Sequence, residues 1–167
     1  MGGELLSIPH VRKSDKGQDI LIVHFHEGEC SVTIGEDKAS DDARAIVRSQ
    51  VFPEFEQYET GCRDAELESA TLAILQRNLN SEQSQQVIVG VLWERARKYR
   101  IAVSASADGP NDKDPHDLFA GYEDAVAGDD NRRRAETITI PELRSWFDCF
   151  AEDVTNHLEK MLEEIHV

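Results

Sequence analysis

No stretch of this sequence approaches about 18 consecutive apolar residues, the length that crosses a bilayer, so no membrane span is expected. The opening Met1-Gly2-Gly3-Glu4-Leu5-Leu6 has neither a basic start nor a long apolar segment, so no secretory signal is expected. Gly2 invites myristoylation, but that pattern asks for serine or threonine where Leu6 stands. Cysteine is scarce. Cys30, Cys62 and Cys149 are widely spaced and odd in number, with no CxxC pair. That excludes a disulfide framework and points to a reducing, cytoplasmic setting. Catalytic fingerprints are missing as well: there is no Gly-rich phosphate loop, GxSxG elbow, HExxH or dinucleotide motif. Basic charge is also short, with 18 Lys+Arg against 33 Asp+Glu and a net charge of −15 over 167 residues. Direct nucleic-acid binding needs a broad basic face, which this composition does not supply. A surface this negative repels phosphates and anionic lipid and attracts basic proteins or cations.

What is present describes a folded protein. Twelve Leu, 11 Ile, 12 Val and 6 Phe make 41 of 167 residues, about 25%, above the roughly 20% below which a charged chain stays disordered. The expected class is α+β: a single domain over residues 18–167, behind an irregular lead-in of residues 1–17. An N-terminal β-hairpin and a short sheet are packed by several helices, and a long amphipathic helix ends the chain.

Local patterns place these elements. A short strand is read within residues 5–11. Residues 19–25 and 30–34 are strand-like around Glu27-Gly28-Glu29, which reads as a hairpin closed by Gly35-Glu36-Asp37. Ser40-Asp41-Asp42 starts a helix that runs to about Val51, where Pro53 interrupts it. Residues 64–79 form a second helix. Residues 82–98 read as a third, with a buried strand as the alternative for the run Val87–Trp93. Residues 100–107 alternate as a strand, 108–114 form a loop, and 117–127 form a short helix. A loop over 128–134 ends in Arg132-Arg133-Arg134, which are expected to be exposed. Residues 137–140 are a strand.

The last helix is the clearest element. Thr139-x-x-Glu142 reads as its capping box, with Pro141 in the first turn. Leu143, Phe147, Phe150, Val154, Leu158, Met161, Leu162 and Ile165 recur every three to four residues. Such a stripe packs on the parent sheet and neighbouring helices, or partly on a second chain.

Candidate chemistry is sparse. His24 and His26 share a strand face, and Cys30 lies across the turn. Two imidazoles and a thiolate are borderline-metal ligands, but no complete ligand set follows. Cys62 precedes a helix beside Arg63, a setting that lowers a thiol pKa. His24, His26 and Cys62 are therefore the residues an enzyme would use, metal- or thiol-dependent. Asp108, Asn111, Asp112, Asp114 and Asp117 offer oxygen ligands without the EF-hand spacing. No metal and no cofactor are expected.

Charge is unevenly spread. Residues 105–131 carry net −7 and residues 135–167 net −6, whereas residues 81–104 carry +2. The leading expectation is a non-enzymatic interaction protein, such as a small subunit, adaptor or inhibitor, that binds a basic protein partner. The binding candidates are Asp148, Glu152, Glu159 and Glu163 on the last helix, with Asp112, Asp114 and Asp117 on the acidic loop. Homo- or hetero-oligomerisation through the last helix is the accompanying expectation. A sharper alternative is a nucleic-acid mimic, which requires rows of carboxylates at phosphate-like spacing.

Overall fold

The structure is a computed structural model, and it describes residues 3–6, 19–26, 29–77, 96–107 and 115–165. It shows a single α+β domain built on a five-stranded mixed sheet. The strands lie in chain order: β1 (Gly3–Leu6), β2 (Ile20–His26), β3 (Glu29–Ser40), β4 (Arg97–Ser106) and β5 (Arg133–Ile140). The first three are antiparallel neighbours, whereas β3–β4 and β4–β5 are parallel. Parallel neighbours need crossover connections, and helices supply them.

The expected hairpin is present, with Leu21 opposite Ile34 and Val23 opposite Val32. All four side chains are fully buried. The β3 strand does not close at Gly35-Glu36-Asp37, as its turn-like residues predict. Pairing with β2 stops where Gly35 meets Ile20, but β4 takes over on the other edge through Ser40. A Cβ on Gly35 would lie 3.1 Å from the Ile20 Cβ, so the glycine serves close approach of the strands rather than a turn. The first described strand, Gly3–Leu6, begins two residues ahead of the stretch expected and pairs Leu5 with Val23. Residues 7–18 lie outside the described residues.

Ala43–Ile46 (α1) opens with Asp42 as N-cap, its carboxylate accepting the Ala45 N–H at 3.0 Å. Truncating a cap of this kind costs about 1 kcal/mol. Asp42→Ala is therefore expected to lower the urea midpoint by that equivalent, while Asp42→Ser leaves it nearly unchanged. Pro53 does not end the helix. One π turn, Val47–Val51, accommodates it, and the chain continues as α2 (Phe52–Glu59) with Pro53 in the first turn. Proline lacks a donor and clashes with the carbonyl four residues back, and widening the ladder there relieves both problems. Gly61, at φ 77°, turns the chain into α3 (Asp64–Leu75).

These helices cover one sheet face. Val47, Val51, Phe55, Tyr58, Leu67 and Leu75 meet Leu21, Val23, Val32, Ile34, Tyr99 and Ile101 in a single core. Phe52, Phe55 and Tyr58 are buried within it. Phe55 lies 4.8 Å from the Tyr99 ring and 6.0 Å from that of Tyr122.

Of the region read as helix 82–98, only its last residues are described. Arg97 and Lys98 already belong to β4. The rest, the Val87–Trp93 run included, lies outside the described residues, as does the loop 108–114. The helix read over 117–127 is two short ones, α4 (Pro115–Leu118) and α5 (Tyr122–Ala125), divided by Gly121 at φ 96°. The last strand starts at Arg133, earlier than expected, because Tyr99 pairs with it. Thr139 lies inside that strand opposite Ala105, so the predicted capping box does not form. The chain reverses over Pro141 and Glu142, the latter at φ 47°, and enters α6 (Leu143–Ile165).

Candidate interaction site

The site begins with the sequence of α6. Its apolar residues repeat at an interval of eleven. Leu143, Val154 and Ile165 occupy equivalent positions, as do Phe147 with Leu158, Phe150 with Met161, and Ala151 with Leu162. Eleven residues fill three turns almost evenly, so the stripe runs nearly straight along the helix instead of drifting as a seven-residue repeat would. The helix holds 23 residues, a rod of roughly 35 Å.

Among the described residues, the fold anchors only its first turn. Leu143 is buried, and the Arg144 Nε donates to Asp41 Oδ2 at 2.7 Å. Phe147 borders a shallow groove on the open sheet face, beside Ala39, Ala102, Ser104 and Ile138. Beyond that point the described chain leaves the stripe uncovered. Trp146, Phe147, Phe150, Val154, Leu158, Met161, Leu162 and Ile165 are 38–73% exposed. Among the described residues the stripe therefore does not pack on the parent sheet or neighbouring helices, the first of the expected arrangements. Trp146 stacks on Phe150 at 5.3 Å and meets Phe147 edge-on at 5.0 Å. An apolar surface of this continuity marks a binding surface. A lone helix of this length is also marginal in water, because most helical stability in proteins comes from packing one face.

The four α6 residues chosen for their charge, Asp148, Glu152, Glu159 and Glu163, are all exposed on this helix. Asp117 is exposed on α4, while Asp112 and Asp114 lie outside the described residues.

The candidates for catalysis do not assemble. His24 sits on the open face of β2 and pairs its Nε2 with Thr33 Oγ1 at 3.0 Å. His26 ends the same strand, and its side chain is outside the described set, as is that of Cys30. Cys62 is exposed in the turn after α2, with its sulfur 3.4 Å from Thr60 Oγ1. Arg63, expected to act on that thiol, instead binds Glu54 and Glu66 and stacks over the Tyr58 ring at 4.5 Å. Among the described residues, no three His, Cys, Asp or Glu side chains gather as a metal site would require. Among the same residues, no helix is long and apolar enough to cross a membrane.

Two buried polar clusters escaped the sequence. In the first, Arg132 is not exposed with its arginine neighbours. It lies 6% exposed and grips the Glu59 carboxylate through both terminal nitrogens, at 2.6 and 3.1 Å. Its Nε donates to the Arg97 carbonyl at 3.0 Å, and Glu59 also accepts from Tyr99 Oη at 2.7 Å. Burial, and then the Glu59 acceptor, hold the Tyr99 phenol protonated far above its ordinary range. In the second, Glu36 lies on the core face of β3 at 1% exposure. Its Oε2 is 2.5 Å from Lys38 Nζ, and its Oε1 has no hydrogen-bond partner among the described residues. Burial first, and then the negative Glu54 and Asp19, push the Glu36 carboxyl up to about 7 despite Lys38. Asp19 goes the other way. Burial raises it, but Lys38 and the Asp37 N–H more than offset that and leave it lowered. The signal for Glu36 was available, since Val32, Ile34 and Glu36 share one strand face.

The fold and site define a small α+β domain that presents a mostly uncovered amphipathic helix. No protein-family model, no curated protein and no solved structure matches this chain.

Proposed function

We propose that this chain is a non-enzymatic interaction module of the cytoplasm that binds a basic partner protein by seating α6 in an apolar groove. The observation that carries this reading is the stripe from Phe147 to Ile165, which is exposed along a helix that, among the described residues, is anchored at Leu143 and Arg144. Charge supports the nature of the partner. Within α6, six carboxylates stand against Arg144 and Lys160, and Arg144 is already held by Asp41. The exposed, unpaired Cys62 and Cys149 support a reducing compartment. Arginine pairing of the carboxylates on the domain body favours this reading over nucleic-acid mimicry. Asp37, Asp64, Asp130 and Glu136 each face an arginine there, which breaks up any phosphate-like array.

The test places a photo-crosslinker at Leu158 and compares the chain with its Leu158→Glu variant in extract of the source cell. Burying one leucine is worth about 1.5–3 kcal/mol, so the charged variant is expected to bind at least about tenfold more weakly. The crosslink is expected on a surface bearing lysine or arginine, and circular dichroism should be unchanged. Binding indifferent to Leu158→Glu would reject the proposal. So would a dimer of the isolated chain that Leu158→Glu disperses, because the occupant would then be a second copy.

A further inference from the structure

Three charged side chains meet where β2 begins. Glu36 and Lys38 stand two apart on β3 and so share one of its faces. Asp19 precedes Ile20, the residue at which pairing of β2 with β3 ends. One ammonium serves both carboxylates: Lys38 Nζ lies 2.5 Å from Glu36 Oε2 and 3.0 Å from Asp19 Oδ2. The Asp37 N–H donates to the same Asp19 Oδ2 at 3.0 Å. Access to water differs among the three. The Glu36 side chain is 1% exposed, that of Lys38 20% and that of Asp19 39%.

Two carboxylates on one ammonium leave an excess negative charge. The surroundings do not supply another cation for it. Glu54 of α2 faces Glu36 as a further carboxylate, and it is held by Arg63. Tyr58 of α2 faces Glu36 as a neutral phenol, and β4 places the apolar Ile101 opposite it. Burying an uncompensated charge is costly, and that cost is removed if the enclosed carboxyl keeps its proton. Among the described residues no donor reaches Glu36 Oε1, as an ionised carboxylate would require. A neutral carboxyl instead has an O–H to place, and Asp19 is the acceptor beside it. Burial raises the Asp19 carboxyl, but Lys38, the Asp37 N–H and a hydrogen bond from Glu36 leave it lowered. A bond that favours the ionised form of Asp19 is one donated to it.

We infer that Glu36 and Asp19 hold a single proton between them, and that this proton fastens the start of β2 to β3. While it is present, Glu36 donates to Asp19, and Asp19 stays in place to accept from Lys38 and the Asp37 N–H. When it is released to solvent, two ionised carboxylates compete for one ammonium. Glu36 is enclosed and keeps Lys38. Asp19 is the more exposed partner, so it turns to water and gives up the Asp37 N–H. The joint opens within the folded protein as pH rises through the titration of Glu36, which at about 7 falls in the neutral range.

The test is an NMR titration of the folded chain from about pH 5.5 to about pH 8.5. It follows the carboxyl carbons of Asp19 and Glu36 and the amide of Asp37. All three are expected to move through one shared midpoint near neutrality, as a coupled pair does. Protection of the Asp37 amide, corrected for the intrinsic pH dependence of exchange, is expected to fall about tenfold or more over that range. Asp19→Asn is expected to weaken the proton affinity of Glu36 about tenfold, one pH unit, and Glu36→Gln to abolish the response of the Asp37 amide. Should either variant not fold, the wild-type titration decides alone. An Asp19 carbon and Asp37 amide that stay still while Glu36 titrates would overturn the inference, because burial alone would then keep Glu36 neutral. So would a Glu36 already ionised at the acid end, a midpoint unmoved by Asp19→Asn, or an amide response that survives Glu36→Gln.

Discussion

Arg132→Met is expected to destabilise the domain by about 3–5 kcal/mol, the loss typical when one member of a buried ion pair is removed. The size follows from what the guanidinium leaves behind. Glu59 is only 12% exposed, and without Arg132 its carboxylate keeps one partner among the described residues, the Tyr99 hydroxyl at 2.7 Å. The Arg97 and Ala127 carbonyls lose a donor in the same change. Methionine roughly preserves the buried stem, so the effect isolates charge and hydrogen bonding from packing. The double variant Arg132→Met/Glu59→Gln is expected to recover a large part of the loss, because no charge is then stranded. A cycle of urea titrations over the four proteins measures that coupling. A single-variant cost below about 1 kcal/mol, or a double variant no better than the single, would show that the network is too well solvated for this argument.

Gly128 belongs to the same device. Its φ of 91° suits glycine, and a Cβ there would lie 3.3 Å from the Arg132 Nη1. The turn is therefore shaped around the arginine, which pins the segment before β5 to the end of α2. Read as sequence, Arg132-Arg133-Arg134 is a polar run that belongs in solvent. What takes Arg132 inside is a carboxylate 73 residues earlier in the chain, and no local pattern carries that information. The same reason explains why β4 and β5 begin earlier than expected. Arg97, Lys98, Arg133 and Arg134 are poor strand indicators, yet pairing with a neighbouring strand recruits them.

Local signals were read correctly. The 3.6-residue period of α6 and the alternation of Leu21, Val23, Val32 and Ile34 need only nearby residues to be legible. Asp42 caps its helix as a short acidic side chain should. The π turn at Val47–Val51 was not legible, because Pro53 alone signals a stop, whereas burial of Val47, Val51, Phe52, Phe55 and Tyr58 in the core holds the helix on course. For the candidate site, the amphipathic stripe was plain in the sequence but its exposure was not. Whether an apolar face is covered depends on where the rest of the chain goes. A helix leaving the domain after Leu143 has the same periodicity as one that lies across a sheet.

Glu36 supplies the second large expectation, a stability that falls as the solution becomes more alkaline. Its carboxyl titrates near 4.5 when solvated and at about 7 in the fold. The folded state therefore holds the proton over a window in which the unfolded chain has released it. Such a group stabilises fully below its unfolded value, and that stabilisation is lost as pH rises through the folded one. A shift of this size corresponds to about 3 kcal/mol in all, most of it lost between pH 5 and pH 8. The cause lies in the geometry. The Oε1 atom is buried without a donor among the described residues, and Lys38 must serve both Glu36 and Asp19, at 2.5 and 3.0 Å. Neither partner cancels the slope in this window. The lowered Asp19 loses its contribution only on acidification, and the raised Lys38 only at strongly alkaline pH. Glu36→Gln keeps an acceptor for Lys38 and removes the proton equilibrium. Urea unfolding at intervals from pH 5 to pH 8 is expected to show the wild-type stability declining and the variant nearly flat, with the variant gaining on the wild type toward pH 8. Parallel curves for the two proteins would mean that Glu36 stays ionised in the fold, with Lys38 outweighing the burial of its carboxylate.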